Sequence, residues 1–369
     1  MSRPSWIEVD LDAIAHNVRT LADLADPAAL CVAVKADGYG HGDVPVAETA
    51  LANGATWLAV ASIEEGRRLR EAGIESPVLV LSEPMIGDVD ASLDWELTPT
   101  VYSVEFVEAY NDAAGERGFR APVHLKLDTG MHRVGAHPML AFDVARAIQE
   151  SANLRFDGLF THMPVADEDP EFSRTQVEAL VGFKDALGLE GIRPEILHAA
   201  NSAATLTMPE SRLDMVRCGI AVYGLKPHPS LAIDVELKPA MRVVSQVAST
   251  RRLPTGARPS YGRIRPMPSQ GTVATVPIGY ADGVPRRLSS TGGGVLIGGK
   301  RYPLAGTVTM DQLVVDVGND DIEVGDEVVI LGTSGEESIS ADDWAARLGT
   351  INYEVVCGFG PRLPRRYLR

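Results

Sequence analysis

Cysteine is nearly missing from this 369-residue chain: Cys31, Cys218 and Cys357 are an odd number at wide spacing, with no C-x-x-C pair. That pattern fits neither a disulfide framework nor a zinc site, and it points to a reducing compartment. Positive charge is also in deficit, with 34 Lys and Arg against 50 Asp and Glu for a net charge of −16. A chain so acidic has no whole-chain footprint for a phosphate backbone or an anionic membrane, so neither nucleic acid nor membrane is expected as a partner. Long apolar runs are lacking too. The densest, 28–34, is far too short to span a bilayer, and the first residues reach Glu8 without the apolar stretch of a secretory signal. The expectation is a cytoplasmic protein.

What is present is an ordinary globular balance, 45% hydrophobic and 23% charged, in a length that allows two or three domains. Disorder, collagen and coiled coil are excluded, and two domains is the starting estimate. Up to about residue 235, short apolar, β-branched runs alternate with segments of helical period. Eight such runs occur, at 31–35, 57–61, 78–81, 97–102, 123–127, 156–161, 195–199 and 216–223, the fourth weakened by Pro99. The first helix is signalled by Leu11, Ile14, Val18, Leu21 and Leu24 behind a possible cap, Asp10. Eight strand–helix units predict a (β/α)8 barrel of the TIM type over 8–236, with chemistry on the loops after the strands' C-terminal ends. From about residue 240 the text changes to short β-like stretches (242–248, 272–278, 294–297, 328–331) broken by Gly and Pro, which predicts an all-β domain over 237–369. The string from Gly294 to Lys300 nearly spells a phosphate-binding P-loop. Arg301 stands where Ser or Thr is needed and no helix follows, so a plain hairpin is expected.

Lys35 closes the apolar run Val32-Ala33-Val34. A desolvated amine at a barrel strand's end becomes a nucleophile able to form a Schiff base, although a lone lysine there would usually just snorkel. The string Ala33-Val34-Lys35-Ala36-Asp37-Gly38-Tyr39-Gly40-His41-Gly42 resembles the signature of alanine racemases, in which this lysine holds pyridoxal 5'-phosphate. The likeness continues through Lys126-Leu127-Asp128-Thr129-Gly130-Met131-His132-Arg133-Val134-Gly135, Asn201-Ser202-Ala203-Ala204, Arg217-Cys218-Gly219-Ile220, Ser260-Tyr261-Gly262, Pro277-Ile278-Gly279-Tyr280-Ala281-Asp282-Gly283, Met310-Asp311-Gln312 and Ile351-Asn352-Tyr353-Glu354.

The resemblance implies a barrel followed by a β domain, with residues 1–7 pairing into the latter, and a homodimer with shared active sites. It implies a two-base racemase, with Lys35 and the partner subunit's Tyr261 serving opposite faces of the substrate carbon. Ser202, the amides of Gly219 and Ile220, and the phenols of Tyr39 and Tyr353 are implied donors to the cofactor phosphate. By the same resemblance Arg217 would face the ring nitrogen without giving up its proton, which would favour racemisation over transamination. By resemblance His162 would support Arg217 beside the ring; no ligand spacing accompanies His162 and His198, so a metal is not expected. Arg133 and the amide of Met310 would bind the substrate carboxylate. Lys126 corresponds to a lysine often carbamylated in the family, an unmodified lysine beside Asp128 being the alternative. Tyr280 and Tyr353 would narrow the entrance to alanine. One departure is Thr309, where other members carry cysteine, a change expected to alter thiol-inhibitor sensitivity more than chemistry.

The implied product, D-alanine, would feed peptidoglycan synthesis. The competing readings are a broad-specificity amino-acid racemase, a decarboxylase, and a cofactor carrier without turnover. A decarboxylase would need a partner-chain acid or cysteine where this chain has Tyr261 and Met310. Carriers resemble only the barrel half, and the second domain bearing Tyr261 argues against that reading.

Overall fold

A computed structural model describes residues 3–369 as two compact units. One holds Ala13–Gly38 and Asp43–Lys238; the other holds the chain up to Asp12, Tyr39–Gly42 and Pro239–Arg369. Met1 and Ser2, part of the segment expected to pair into the β domain, lie outside the described residues.

The strands are β1 (Ser5–Asp10), β2 (Ala29–Ala33), β3 (Trp57–Val60), β4 (Val78–Val80), β5 (Thr98–Val101), β6 (Ala121–Lys126), β7 (Leu154–Phe160), β8 (Ile196–His198) and β9 (Met215–Cys218). Strands β2 to β9 form one parallel sheet in the order β8-β7-β6-β5-β4-β3-β2-β9. Its two ends are joined by Asp214 N–H to Leu197 O at 3.0 Å and Arg217 N–H to Ala200 O at 2.9 Å. The sheet is therefore a nearly closed barrel, as the eight runs predict. Its strands are almost wholly buried, which is why they read as continuous Val, Leu and Ala rather than alternating text. Pro99 does not prevent β5, whose ladder with β4 includes the pair Val80–Pro99. On helix Leu11–Ala25, Ile14, Val18 and Leu21 are fully buried.

Most strand boundaries differ from the sequence expectation by a residue or two, and three differences bear on the domains and the site. Residue 8 lies inside β1, which pairs antiparallel with Met241–Gln246 and parallel with Arg365–Leu368, so the chain enters the barrel unit only at Ala13. The run 31–35 begins two residues early as β2, and Lys35 stands beyond the strand in a turn of its own. The run 216–223 stops at Cys218 and continues as the 3-10 turn Ile220–Tyr223.

The second unit carries a seven-stranded sheet that includes β1 and a three-stranded sheet, Ser249–Leu253, Gly271–Val276 and Leu313–Gly318. Gly294–Ile297 and Lys300–Pro303 are a hairpin, with Gly298 and Gly299 at φ of 56° and 76°, as a two-residue type I′ turn requires. The all-β expectation omitted two helices, Ala341–Leu348 and Asn352–Cys357. The first has a full capping box, Ser340 with Asp343, and ends on Gly349 at φ 69°.

Candidate active site

Lys35 begins at the C-terminal end of β2 and is half-buried. The backbone after it is left-handed: Ala36, Asp37, Gly38 and Tyr39 have φ of 54°, 54°, 57° and 52°. Left-handed helical geometry costs an L-residue about 1–2 kcal/mol, so Ala36, Asp37 and Tyr39 hold strain that the surroundings must offset. The bonds doing so include Gly38 N–H to Val34 O at 2.9 Å, Ala36 N–H to Glu65 Oε1 at 2.8 Å and Asp43 N–H to Asp37 Oδ1 at 3.4 Å. Arg68 in turn donates to Asp43 Oδ2 at 2.7 Å.

Arg217 points inward from β9 and is 6% exposed. Its Nη1 donates to His198 Nδ1 at 2.9 Å, and its Nη2 donates to Thr161 O at 2.7 Å, Ala199 O at 3.0 Å and His162 Nδ1 at 3.4 Å. A guanidinium can only donate, so both histidines present lone pairs at Nδ1 and carry their proton on Nε2. His198 Nε2–H then donates to His124 Nδ1 at 2.9 Å, which places the His124 proton on Nε2. A one-way chain of hydrogen bonds therefore crosses the barrel interior from β9 to β8 to β6. Burial first, and Arg217 second, pushes His162 and His198 well below the ordinary histidine range and His124 down to about 3. All three are neutral at pH 7, and Arg217 remains the only charge in the chain, lowered by burial to about 10.

His198 also stacks on Phe160, with centroids 4.6 Å apart, and Gly158 makes room for the His124 ring. His124 and Gly158 escaped sequence reading because a lone histidine in Val123-His124-Leu125 and a lone glycine in a strand carry no mark of a partner 74 residues away. Among the described residues no cluster of three or more His, Cys, Asp or Glu is placed to hold a metal, and His198 is a satisfied hydrogen-bonding histidine.

Around the same mouth cations gather, with Asp128 the carboxylate acting on Lys126. The cations acting on His162 are Arg217, Lys126, Arg133 and Lys35, a concentration that stands out in a chain of net charge −16. Lys126, the last residue of β6 and 5% exposed, lies over the Phe160 ring at 5.3 Å and reaches Leu81 O at 3.5 Å. Burial, then Arg217, Arg133 and Lys35, lowers its ammonium to about 7. The Arg133 loop is pinned by Asp128, whose Oδ1 accepts the amides of Gly130 and His132 at 3.0 Å each. Ser202 Oγ accepts Gly219 N–H at 2.9 Å and Ala221 N–H at 3.4 Å, which aims its own hydroxyl hydrogen elsewhere. The Gly219 amide is thus engaged within the chain, and the Ser202 hydroxyl and Ile220 amide are the better placed donors.

This mouth fits the pyridoxal 5'-phosphate that the signature implies. Arg217 has no carboxylate partner, and its Nε–H and one Nη1–H stay without an acceptor among the described residues, ready for a ring nitrogen. The surrounding cations suit a phosphate and a carboxylate. A cavity of about 480 Å³ opens at the opposite, N-terminal end of the barrel, by Trp57, Thr98, Ala121 and Arg155, away from these groups.

The β unit supplies the other expected residues. One loop links three of them: Thr307 Oγ1 donates to Tyr261 O at 2.7 Å, Tyr280 N–H donates to Thr309 O at 3.0 Å, and Ala281 N–H donates to Met310 O at 3.1 Å. Tyr261, Tyr280 and Met310 are 72%, 43% and 53% exposed, large side chains presented from one linked set of loops. Thr309 closes that loop, donating to Gln312 O at 2.8 Å and accepting Gln312 N–H at 3.2 Å. Tyr39 and Tyr353, also within this unit, have ring centroids 6.3 Å apart.

The family model of the alanine racemase N-terminal domain matches residues 9–227, and that of the C-terminal domain matches 240–367. The chain is 44% identical over 367 residues to an alanine racemase of Symbiobacterium thermophilum, covering 99% of this chain and 97% of that one. The solved structure of the alanine racemase from D-cycloserine-producing Streptomyces lavendulae superposes with a TM-score of 0.94 at 39% identity, covering 100% of this chain and 98% of the other. A histidine racemase from Leuconostoc mesenteroides subsp. sake superposes with a TM-score of 0.91 at 25% identity, with coverage of 100% and 98%. Likeness that runs through both units at such identity leaves one conclusion: the chain belongs to the alanine racemase family.

Proposed function

We propose that the protein interconverts L- and D-alanine with pyridoxal 5'-phosphate, and the observation that carries this is Arg217, buried without a carboxylate among neutral histidines. When bound, the cofactor supplies an electron sink that lets the α-hydrogen of an attached amino acid leave as a proton. Lys35 would hold it covalently, Arg217 and His162 would meet its ring, and Ser202, Ile220, Tyr39 and Tyr353, with Gly219 shaping the backbone, would meet its phosphate. Arg217 would donate to the ring nitrogen and keep its own proton, which would leave that nitrogen uncharged and temper the sink.

Racemisation needs a proton handler on each face of the α-carbon, because one base alone returns the proton to the side it left. Lys35 Nζ serves one face and the hydroxyl of the partner subunit's Tyr261 the other. Exposure of Tyr261, Tyr280 and Met310 supports a homodimer in which a second copy covers them. Arg133, which has no carboxylate partner among the described residues, would take the substrate carboxylate together with the amide of the partner subunit's Met310. A Lys126 amine lowered to about 7 is unprotonated in about half of the molecules near neutral pH, which supports its carbamylation by carbon dioxide. Labelled bicarbonate should then give a carbamate signal that Lys126→Met abolishes.

The alternative is a broad-specificity amino-acid racemase. The likeness of fold to the Leuconostoc histidine racemase supports keeping this alternative, because architecture alone does not fix side-chain choice, and Tyr280 and Tyr353 would set the preference for alanine. The scarcity and wide spacing of cysteine support a cytoplasmic setting, and D-alanine made there would supply peptidoglycan synthesis. The test is incubation of the holoenzyme with L-alanine, and in parallel L-serine, in deuterated water. Formation of D-alanine with deuterium at the α-carbon is expected. Retention of the L-isomer without label would refute the reading, and equal turnover of serine would favour the alternative.

A further inference from the structure

Glu65 is not used by the reading above, yet it touches the turn that carries Lys35. Ser62-Ile63-Glu64-Glu65 has the S-x-x-E form of a capping box, and Ser62 Oγ accepts Glu65 N–H at 3.3 Å at the start of helix Ile63–Glu71. In such a box the glutamate reaches back to the N-cap amide. Here it does something else. Its Oε2 accepts Ala61 N–H at 2.7 Å, and its Oε1 accepts Ala36 N–H at 2.8 Å, 29 residues away in sequence.

Ala61 follows β3 and Ala36 follows Lys35 beyond β2, so one carboxylate staples two neighbouring loops at the barrel's C-terminal end. The amide it takes belongs to the first of four left-handed residues, while Gly38 N–H to Val34 O closes the same turn from the other side. A carboxylate suits this role because both of its oxygens accept. A carboxamide would set its NH2 against one of the two N–H groups.

We propose that Glu65 is a positioning residue for Lys35, holding the strained turn after it and thereby the direction in which its amine leaves the end of β2. The proposal rests on the reading of Lys35 as the cofactor-bearing lysine. The competing role, a plain helix cap, is separable, since capping boxes accept glutamine as readily as glutamate.

The experiment compares wild type with Glu65→Gln, Glu65→Asp and Ser62→Ala. In the apoenzyme, amide hydrogen exchange is read over residues 36–40. In a second arm, pyridoxal 5'-phosphate is added and the rate at which borohydride fixes it to Lys35 is followed by peptide mass. Glu65→Gln should exchange Ala36 at least about tenfold faster and attach the cofactor about tenfold more slowly, with little change in Tm, and Glu65→Asp should fall between. Ser62→Ala should lower Tm and leave both rates alone. Wild-type rates in both Glu65→Gln and Glu65→Asp would overturn the proposal and reduce Glu65 to a cap. Fast exchange in Glu65→Gln together with undiminished fixation in Lys35→Ala would instead overturn the assignment of Lys35, leaving the staple itself intact.

Discussion

Gly158→Ala isolates the hydrogen-bond chain behind Arg217. A Cβ at Gly158 would stand 2.3 Å from His124 Nδ1, 2.5 Å from Cε1 and 2.6 Å from Cγ. Optimal carbon contacts begin near about 3.5 Å, so the imidazole must retreat by about 1 Å, inside a barrel where it is fully buried. Overpacking of this kind costs roughly 1–3 kcal/mol. The displaced ring also gives up its 2.9 Å bond to His198, whose buried Nε2–H is then orphaned at a further cost of roughly 1–3 kcal/mol. A combined loss of about 4 kcal/mol corresponds to a fall in Tm of roughly 8–16 °C. Calorimetry reads the stability, and long-range nitrogen–proton spectra of labelled histidine read which ring nitrogen carries hydrogen. The double variant Gly158→Ala/His124→Ala provides room for the methyl group and should recover part of the loss, leaving the His198 orphan. A single variant melting within about 2 °C of wild type, with His198 still donating from Nε2, would refute the reasoning.

The three neutral histidines make acid stability steep. Their folded pKa values lie below the unfolded value of about 6.5, so below that pH the unfolded chain takes up protons that the fold refuses, and stability falls with falling pH at up to about 1.4 kcal/mol per pH unit for each of His124, His162 and His198. Urea titrations from pH 7 to 5 should show about three additional protons bound on unfolding; a flat profile would contradict the buried, neutral assignment. The shared site is tested by refolding inactive Lys35→Ala chains with inactive Tyr261→Ala chains. Half of the dimers are then mixed, and each mixed dimer has one intact site of two, so about a quarter of wild-type activity should return. No recovery despite proven subunit exchange would place both residues in one subunit's site.

The barrel was legible because its strands are largely buried on both faces and therefore spell mostly apolar runs, and even Pro99 proved compatible with a short strand. The left-handed turn after Lys35 was not legible, since Ala36 and Asp37 disfavour that geometry and only contacts such as Glu65 hold them there. Two capping motifs were legible in principle. Ser340 to Asp343 with Gly349 marks a helix inside a region otherwise written in strands, and Ser62 to Glu65 marks the cap whose glutamate departs to Ala36. The Arg217–His198–His124 chain could not be read, because it depends on which strands of a closed barrel face one another at one level.

The placement of β1 has a consequence for biosynthesis. This strand is made early, yet its neighbours are Met241–Gln246 and Arg365–Leu368. At about 5–20 residues per second, the roughly 230 residues between Asp10 and Met241 take about 12–46 s to synthesise. For that interval Trp6, Ile7 and Val9, all buried in the finished sheet, wait without partners, while every strand of the barrel is completed behind them. Glu8 and Asp10 alternate with these apolar residues and oppose self-association of the waiting strand. The barrel can therefore form while the chain is still growing, whereas the second unit's main sheet closes only when Arg365–Leu368 emerges.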